Sequence, residues 1–128
     1  MQLRSAVVLS FAAGALVLGC ARRRGDPVDQ EAPRAPVTLE VTNHNWADMV
    51  IYVVRSTQRI RVLTVITSNT VSVVLRPDLV GPAGEVRISA HAIGGGGRYT
   101  SPSVFASPGG TVTVTLETDL ARSTVTAW

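Results

Sequence analysis

The chain contains no lysine: all twelve of its basic residues are arginine. It also lacks a basic block. Beyond residue 36, seven arginines stand against six acids (Glu40, Asp48, Asp78, Glu85, Glu117 and Asp119), a net of +1 (7 − 6). Nucleic-acid binding needs clustered positive charge, so no nucleic-acid partner is expected. Cysteine is nearly absent too. Cys20 is the only one, which excludes an internal disulfide and any multi-thiolate metal site. Aromatic residues are 5% of the chain, so a core must be built from Val, Ile, Leu and Ala. No apolar run reaches the roughly 20 residues that a spanning helix needs. What is abundant is Val and Thr, whose branching at Cβ favours pleated strands over helices.

Residues 1–4 are short and positively charged, and residues 6–18 form a run of 13 interrupted only by Ser10 and Gly14. That is the pattern of a secretory leader. The run ends in Val17-Leu18-Gly19-Cys20, with Ala21 following. This stretch resembles the lipobox of bacterial lipoproteins, with Val17 where the family most often has Leu. The resemblance covers residues 1–21. It implies cleavage between Gly19 and Cys20 and lipidation of the Cys20 thiol with a diacylglycerol, usually with a third chain on the freed amine. Two or more chains make detachment negligible, whereas one is marginal. Ala21 in place of Asp is similar to lipoproteins sorted to the outer membrane. The expected location is therefore the cell envelope, lipid-anchored in the outer membrane and facing the periplasm.

Residues 20–36 then form a tether. It is polar, carries both signs of charge and holds three prolines (Pro27, Pro33 and Pro36). Such a segment buries too little apolar surface to offset its ordering entropy, and a flexible, extended spacer is expected. Arg22, Arg23 and Arg24 either touch anionic headgroups beside the anchor or form a solvated charge run. The Arg24-Gly25-Asp26 tripeptide is too common to carry weight.

Residues 37–128 make the single folded domain. Residues 37–42, 85–93 and 111–118 alternate apolar and polar, as half-buried strands do. Residues 49–54 are unbroken apolar and predict a central strand covered on both faces. Residues 60–67 and 70–75 resume the pattern, with Ser68-Asn69 as a short hairpin turn between them. Residues 78–84 read as a loop with room for one helical turn. Residues 98–103 and 104–106 form short segments, Ser107-Pro108-Gly109-Gly110 is a turn, and residues 123–128 close the chain. The expected fold is all-β: an antiparallel two-sheet sandwich of seven or eight strands, immunoglobulin-like or transthyretin-like. A terminal aromatic, Trp128, is typical of outer-membrane barrels, but several strands here are too short to span a bilayer.

Chemistry-bearing groups are few. A metal site would need His44 and His91 to converge with a carboxylate such as Asp48; solvent-facing histidines on β surfaces are the expected alternative. A blue-copper centre needs a cysteine thiolate, and the lipobox resemblance assigns Cys20 to the anchor. Gly94 through Gly97 lack the Lys-Ser or Lys-Thr and the following helix of a phosphate cradle, and read as a hairpin tip. No paired acids and no G-x-S-x-G elbow are present. No cofactor, no metal and no enzyme activity are expected. A hydrolase would require His44 or His91 within hydrogen-bond reach of a carboxylate in a cleft.

The stretches "VTNHNWADMVIYVVRSTQRIRV" and "LARSTVTAW" resemble small envelope β lipoproteins of environmental bacteria, a group to which no activity is attached. The expected function is a lipid-anchored, non-catalytic structural or interaction role in the envelope. The alternative is a module binding a glycan or an envelope protein through Trp46, Tyr99, Arg98 and the glycine loop. Trp46 discriminates them. Packed inside as a core plug, the reading preferred from sequence, it favours the structural role; exposed beside a concave surface, it favours binding.

Overall fold

The computed structural model describes residues 34–128. The leader, Gly19 and Cys20, and the tether up to residue 33 lie outside the described residues. Ten strands occur in chain order: β1 (Thr38–Asn43), β2 (Met49–Arg55), β3 (Gln58–Val65), β4 (Thr70–Val74), β5 (Glu85–Val86), β6 (Ile88–Ala92), β7 (Arg98–Thr100), β8 (Val104–Phe105), β9 (Thr111–Leu116) and β10 (Thr124–Ala127). Two 3-10 turns, Pro77–Leu79 and Leu120–Arg122, interrupt them. Four strands form one sheet in the order β10-β9-β1-β4, four form another in the order β3-β2-β6-β7, and β5 and β8 pair by themselves.

The alternation read from the sequence sets the faces. Leu39 and Val41 of β1, and Val112, Val114 and Leu116 of β9, are fully buried, while Glu40 between the first two and Thr113 and Thr115 between the others lie on the opposite face. From the second sheet, Met49, Ile51, Val53, Val65, Ile88 and Ala90 are equally buried, and all of these side chains share one core. Each fully buried aliphatic side chain contributes about 1.5–3 kcal/mol relative to exposure.

Several expectations need correction. Among the described residues ten strands replace seven or eight, because the short segments at 98–100 and 104–105 each form a strand of their own and the 85–93 segment breaks at Arg87: β5 pairs with β8, and β6 with β2 and β7. Ser68-Asn69 is not a hairpin turn, because β3 and β4 belong to different sheets and the chain crosses between them there. Ser68 takes a left-handed φ of 59° at that crossing. The pairing is not uniformly antiparallel: β1 and β9 run parallel, in register from Thr38↔Thr111 to Asn43↔Leu116. A helical crossover is needed only when parallel neighbours follow closely in the chain. Here the chain returns to β1 after passing through the other sheet. Finally, β2 is central but not covered on both faces. Val50, Tyr52 and Val54 are half-buried on the outer side, and a bulge opposite Ile51 and Tyr52 leaves Val62 without a partner on β2.

Strand direction sorts the loops to two ends. Residues 44–48, 66–69, 93–97 and 117–123 meet at one end. The entering segment 34–37, the 56–57 turn and residues 75–84 and 106–110 meet at the other, together with Trp128. Gly84 is needed at the entry end. Its φ is +83°, and a Cβ there would lie 2.2 Å from the Ala106 carbonyl oxygen. An apolar pocket of about 230 Å³ opens beside it, lined by Pro36, Leu75, Val80, Pro82 and Ala106, with Arg34 donating to the Pro82 carbonyl.

Candidate functional site

The end opposite the chain entry is built on Asn43-His44-Asn45-Trp46-Ala47-Asp48. Asparagine competes with regular secondary structure by bonding its own backbone two residues on. Here that happens twice in succession. The Asn43 Oδ1 accepts from the Asn45 amide at 2.9 Å, and the Asn45 Oδ1 accepts from the Ala47 amide at 3.1 Å. The remaining donors reach neighbouring loops. Asn43 Nδ2 donates to the Ala47 and Val65 carbonyls, at 2.9 and 3.2 Å. Asn45 Nδ2 donates to the Glu117 and Thr118 carbonyls, both at 3.0 Å. Asp48 Oδ1 accepts from the Thr67 amide at 3.0 Å, and its carbonyl accepts from the Ile93 amide at 2.8 Å. The Thr67 hydroxyl closes onto the Asn45 carbonyl.

All four loops of this end are thereby joined, the 117–123 loop through Asn45 and the 66–69 and 93–97 loops through Asp48, around two buried asparagines, Asn43 at 0% and Asn45 at 6% exposure. Between them the chain turns Trp46 outward, 84% exposed. The structure thus replaces the core-plug reading of Trp46. Ile66 and Ile93, each 53% exposed, flank the loop through Thr67 and through the bond to Asp48. Among the described residues, three of the six large exposed hydrophobic residues therefore stand at one end, with Val74, Phe105 and Trp128 elsewhere. Apolar side chains gathered on an ordered surface mark a contact site more often than scattered ones do.

The other residues singled out in the sequence do not join Trp46. Tyr99 alternates inward on β7 and packs, half-buried, against the core; burial pushes its phenol pKa up. Arg98 points to the outer face of its sheet. Gly94 and Gly95 adopt φ values of +89° and +93° at an open hairpin tip, where a side chain would meet only open space. His44 Nδ1 lies 3.5 Å from Glu117 Oε2, both side chains being largely exposed, and Thr118 donates to the His44 carbonyl rather than to its ring. Glu117, Thr118, Asp119 and Arg122 line a shallow depression beside that pair. Among the described residues no three His, Cys, Asp or Glu side chains gather as metal ligands.

His91 stands apart, on the outer face of the β3-β2-β6-β7 sheet. Its Nε2 is 2.9 Å from an Arg59 guanidinium nitrogen and 3.1 Å from Ser89 Oγ, and its ring lies 5.1 Å from that of Tyr52. Desolvation, then the charges of Arg98 and Arg59, hold its pKa below the ordinary 6.5. A guanidinium only donates, so Nε2 accepts and the ring is neutral. The folded state therefore binds this proton less readily than the unfolded chain. Stability from this group is complete above pH 6.5 and is lost as pH falls through the depressed value. Urea midpoints measured from pH 8 to pH 5 should fall, and His91→Gln should flatten that part of the decline.

Two features escaped sequence reading: the structural use of Asn43 and Asn45, whose x-Asn-x-Asn spacing was the available signal, and the roles of Ile66 and Ile93, for which there was none. No protein-family model matches the chain, and the searches of curated proteins and of solved structures return no match.

Proposed function

We propose that this chain is a lipid-anchored cell-envelope protein with a non-catalytic interaction role, moored through Cys20 in the outer membrane and facing the periplasm. Its β domain, which we read as an immunoglobulin-like or transthyretin-like sandwich, presents the Trp46 end to an envelope protein. The anchor rests on the lipobox resemblance of residues 17–20, and one observation carries the interaction role: Trp46 is 84% exposed on a loop locked by buried asparagines, at the end opposite residue 34. An ordered, exposed tryptophan flanked by aliphatic side chains suits a protein surface, since tryptophan is the residue most enriched at binding hot spots.

Two tests follow. Cys20→Ser should abolish labelling by a fatty-acid analogue and move the chain from the membrane to the soluble fraction; an unchanged lipid signal excludes Cys20 as the attachment point. Trp46→Ala should leave folding stability within about 0.5 kcal/mol, because the ring is outside the core. It should weaken partner binding by about 30-fold or more, the loss of a hot spot of roughly 2 kcal/mol. A photoreactive residue at Ile66 reads this in cells. Its crosslinked product should vanish in Trp46→Ala, whereas the same group at Thr126, on the outer face of the other sheet, should give none. A product that persists in Trp46→Ala removes the tryptophan from the contact.

A further inference from the structure

The net charge of the domain conceals a separation that the fold creates. Strands β2, β3, β6 and β7 carry Arg55, Arg59, Arg61 and Arg98 and no acid, while β1, β4, β9 and β10 carry Glu40 and no arginine. Cross-strand register puts Arg59 opposite Val54, Arg61 opposite Tyr52, Ser89 opposite both Tyr52 and Thr100, and Arg98 opposite His91. Side chains on this outer face therefore set the guanidinium groups beside the Tyr52 and His91 rings, the Thr64 and Thr100 hydroxyls and the half-buried Val50 and Val54. Arg59, Arg61 and Arg98 are exposed, and among the described residues none of the three meets a carboxylate. Two are held by neutral partners: Arg59 on His91 at 2.9 Å and Arg61 on the Thr64 hydroxyl at 2.8 Å.

We propose that this face binds an anionic polysaccharide, with Arg59, Arg61 and Arg98 pairing with its carboxylate groups and the half-buried Tyr52 and exposed Thr100 meeting its rings and hydroxyls, while the buried Ser89 holds His91 in place from beneath. Guanidinium groups match carboxylates in a two-pronged geometry, and charge-assisted bonds are roughly twice as strong as neutral ones. Neutral hydroxyls interleaved with the cations suit a sugar chain better than a fluid layer of headgroups. The chain's own tether is not the counter-charge, since residues 22–34 hold four arginines against three acids (Asp26, Asp29 and Glu31). This inference does not depend on the role given to Trp46, which lies on a different surface.

The face also contains its own reporter. His91 is faced by Tyr52 from β2, Arg59 from β3, Arg98 and Thr100 from β7, and Ser89 on its own strand, so the only charges bearing on it are positive. An anion seated there offsets them and raises the imidazole pKa. The experiment follows the His91 ring by NMR through a pH titration of the full-length chain in neutral detergent micelles, with and without oligogalacturonate; His44 is the internal control. The expected result is an upward shift of His91 by about half a pH unit with His44 unmoved. Binding should fall about tenfold in the Arg59→Gln/Arg61→Gln/Arg98→Gln chain and stay unchanged in Trp46→Ala. Raised salt should weaken it, and neutral dextran should not bind. Binding that survives the triple substitution, or an equal response to dextran, overturns the proposal. So does a His91 shift produced by phosphatidylglycerol doped into the micelles but not by oligogalacturonate, which would make the face a lipid contact.

Discussion

Asn43→Asp is expected to destabilise the domain by about 4 kcal/mol at pH 7, close to the loss on leaving a buried charge uncompensated. The substitution keeps the shape of the side chain. It replaces an amide that donates to the Ala47 and Val65 carbonyls by an oxygen that faces both of them, at a position with no solvent exposure. The acceptor role toward the Asn45 amide survives. Asn43→Ala removes all three bonds but introduces no charge, and should cost about 2–3 kcal/mol, the penalty of the orphaned carbonyls and amide. The aspartate variant has a further signature. Burial against two carbonyl oxygens raises its folded pKa above the unfolded value of about 3.9. Its stability is therefore best at acid pH and is lost as pH rises from about 4 through the folded value. Urea unfolding of both variants at pH 4 and pH 7 measures this. If Asn43→Asp behaves like Asn43→Ala at both values, the amide is not a double donor in the interior.

Leu39→Ala should have an effect of similar size for a different reason. Leu39 lies on β1, between β4 and β9, opposite Val73 and Val112, and is fully buried. Its neighbours are held on two sides by backbone ladders and have little freedom to collapse into the space. A loss of about 3–5 kcal/mol is expected, the upper part of the range for such truncations. Val125→Ala, on the edge strand β10 opposite Val114 and only half-buried, should lose about 1 kcal/mol. Since small domains are stable by only about 5–15 kcal/mol, the first variant should melt many degrees lower and the second should remain close to wild type. Equal losses at the two positions would contradict the assignment of β1 to the centre of its sheet.

Much of the fold was legible because one face of each strand is buried. The apolar-polar alternation in β1 and β9 specifies strand and face together, and the structure keeps both faces, with Asn43 the one polar side chain on the buried face of β1. What was not legible is pairing. Ser68-Asn69 has the composition of a hairpin turn, yet the chain leaves its sheet there, because the bonds that decide this run to strands distant in sequence. The same holds for the parallel β1–β9 pair, separated by the entire second sheet. The site was legible only as composition. The polar stretch around Trp46 read as a break in the strand pattern, while its order comes from carbonyls at residues 65, 117 and 118. The arginine-bearing face was invisible to a charge count, because Glu40, Glu117 and Asp119 cancel it in the sum while lying elsewhere in space.

The account rests on a protein held at one end and engaged at the other, and its two tryptophans mark those ends: Trp128 beside the chain entry and Trp46 opposite. The direct measurement is acrylamide quenching of chains carrying a single 5-hydroxytryptophan, at 46 in Trp128→Phe or at 128 in Trp46→Phe, first in neutral micelles and then in isolated cell envelopes. The expected result is strong quenching of both probes in micelles, and in envelopes a marked loss of quenching at position 46 that is not matched at 128. A residue 46 probe as open to acrylamide in the envelope as in micelles would contradict it.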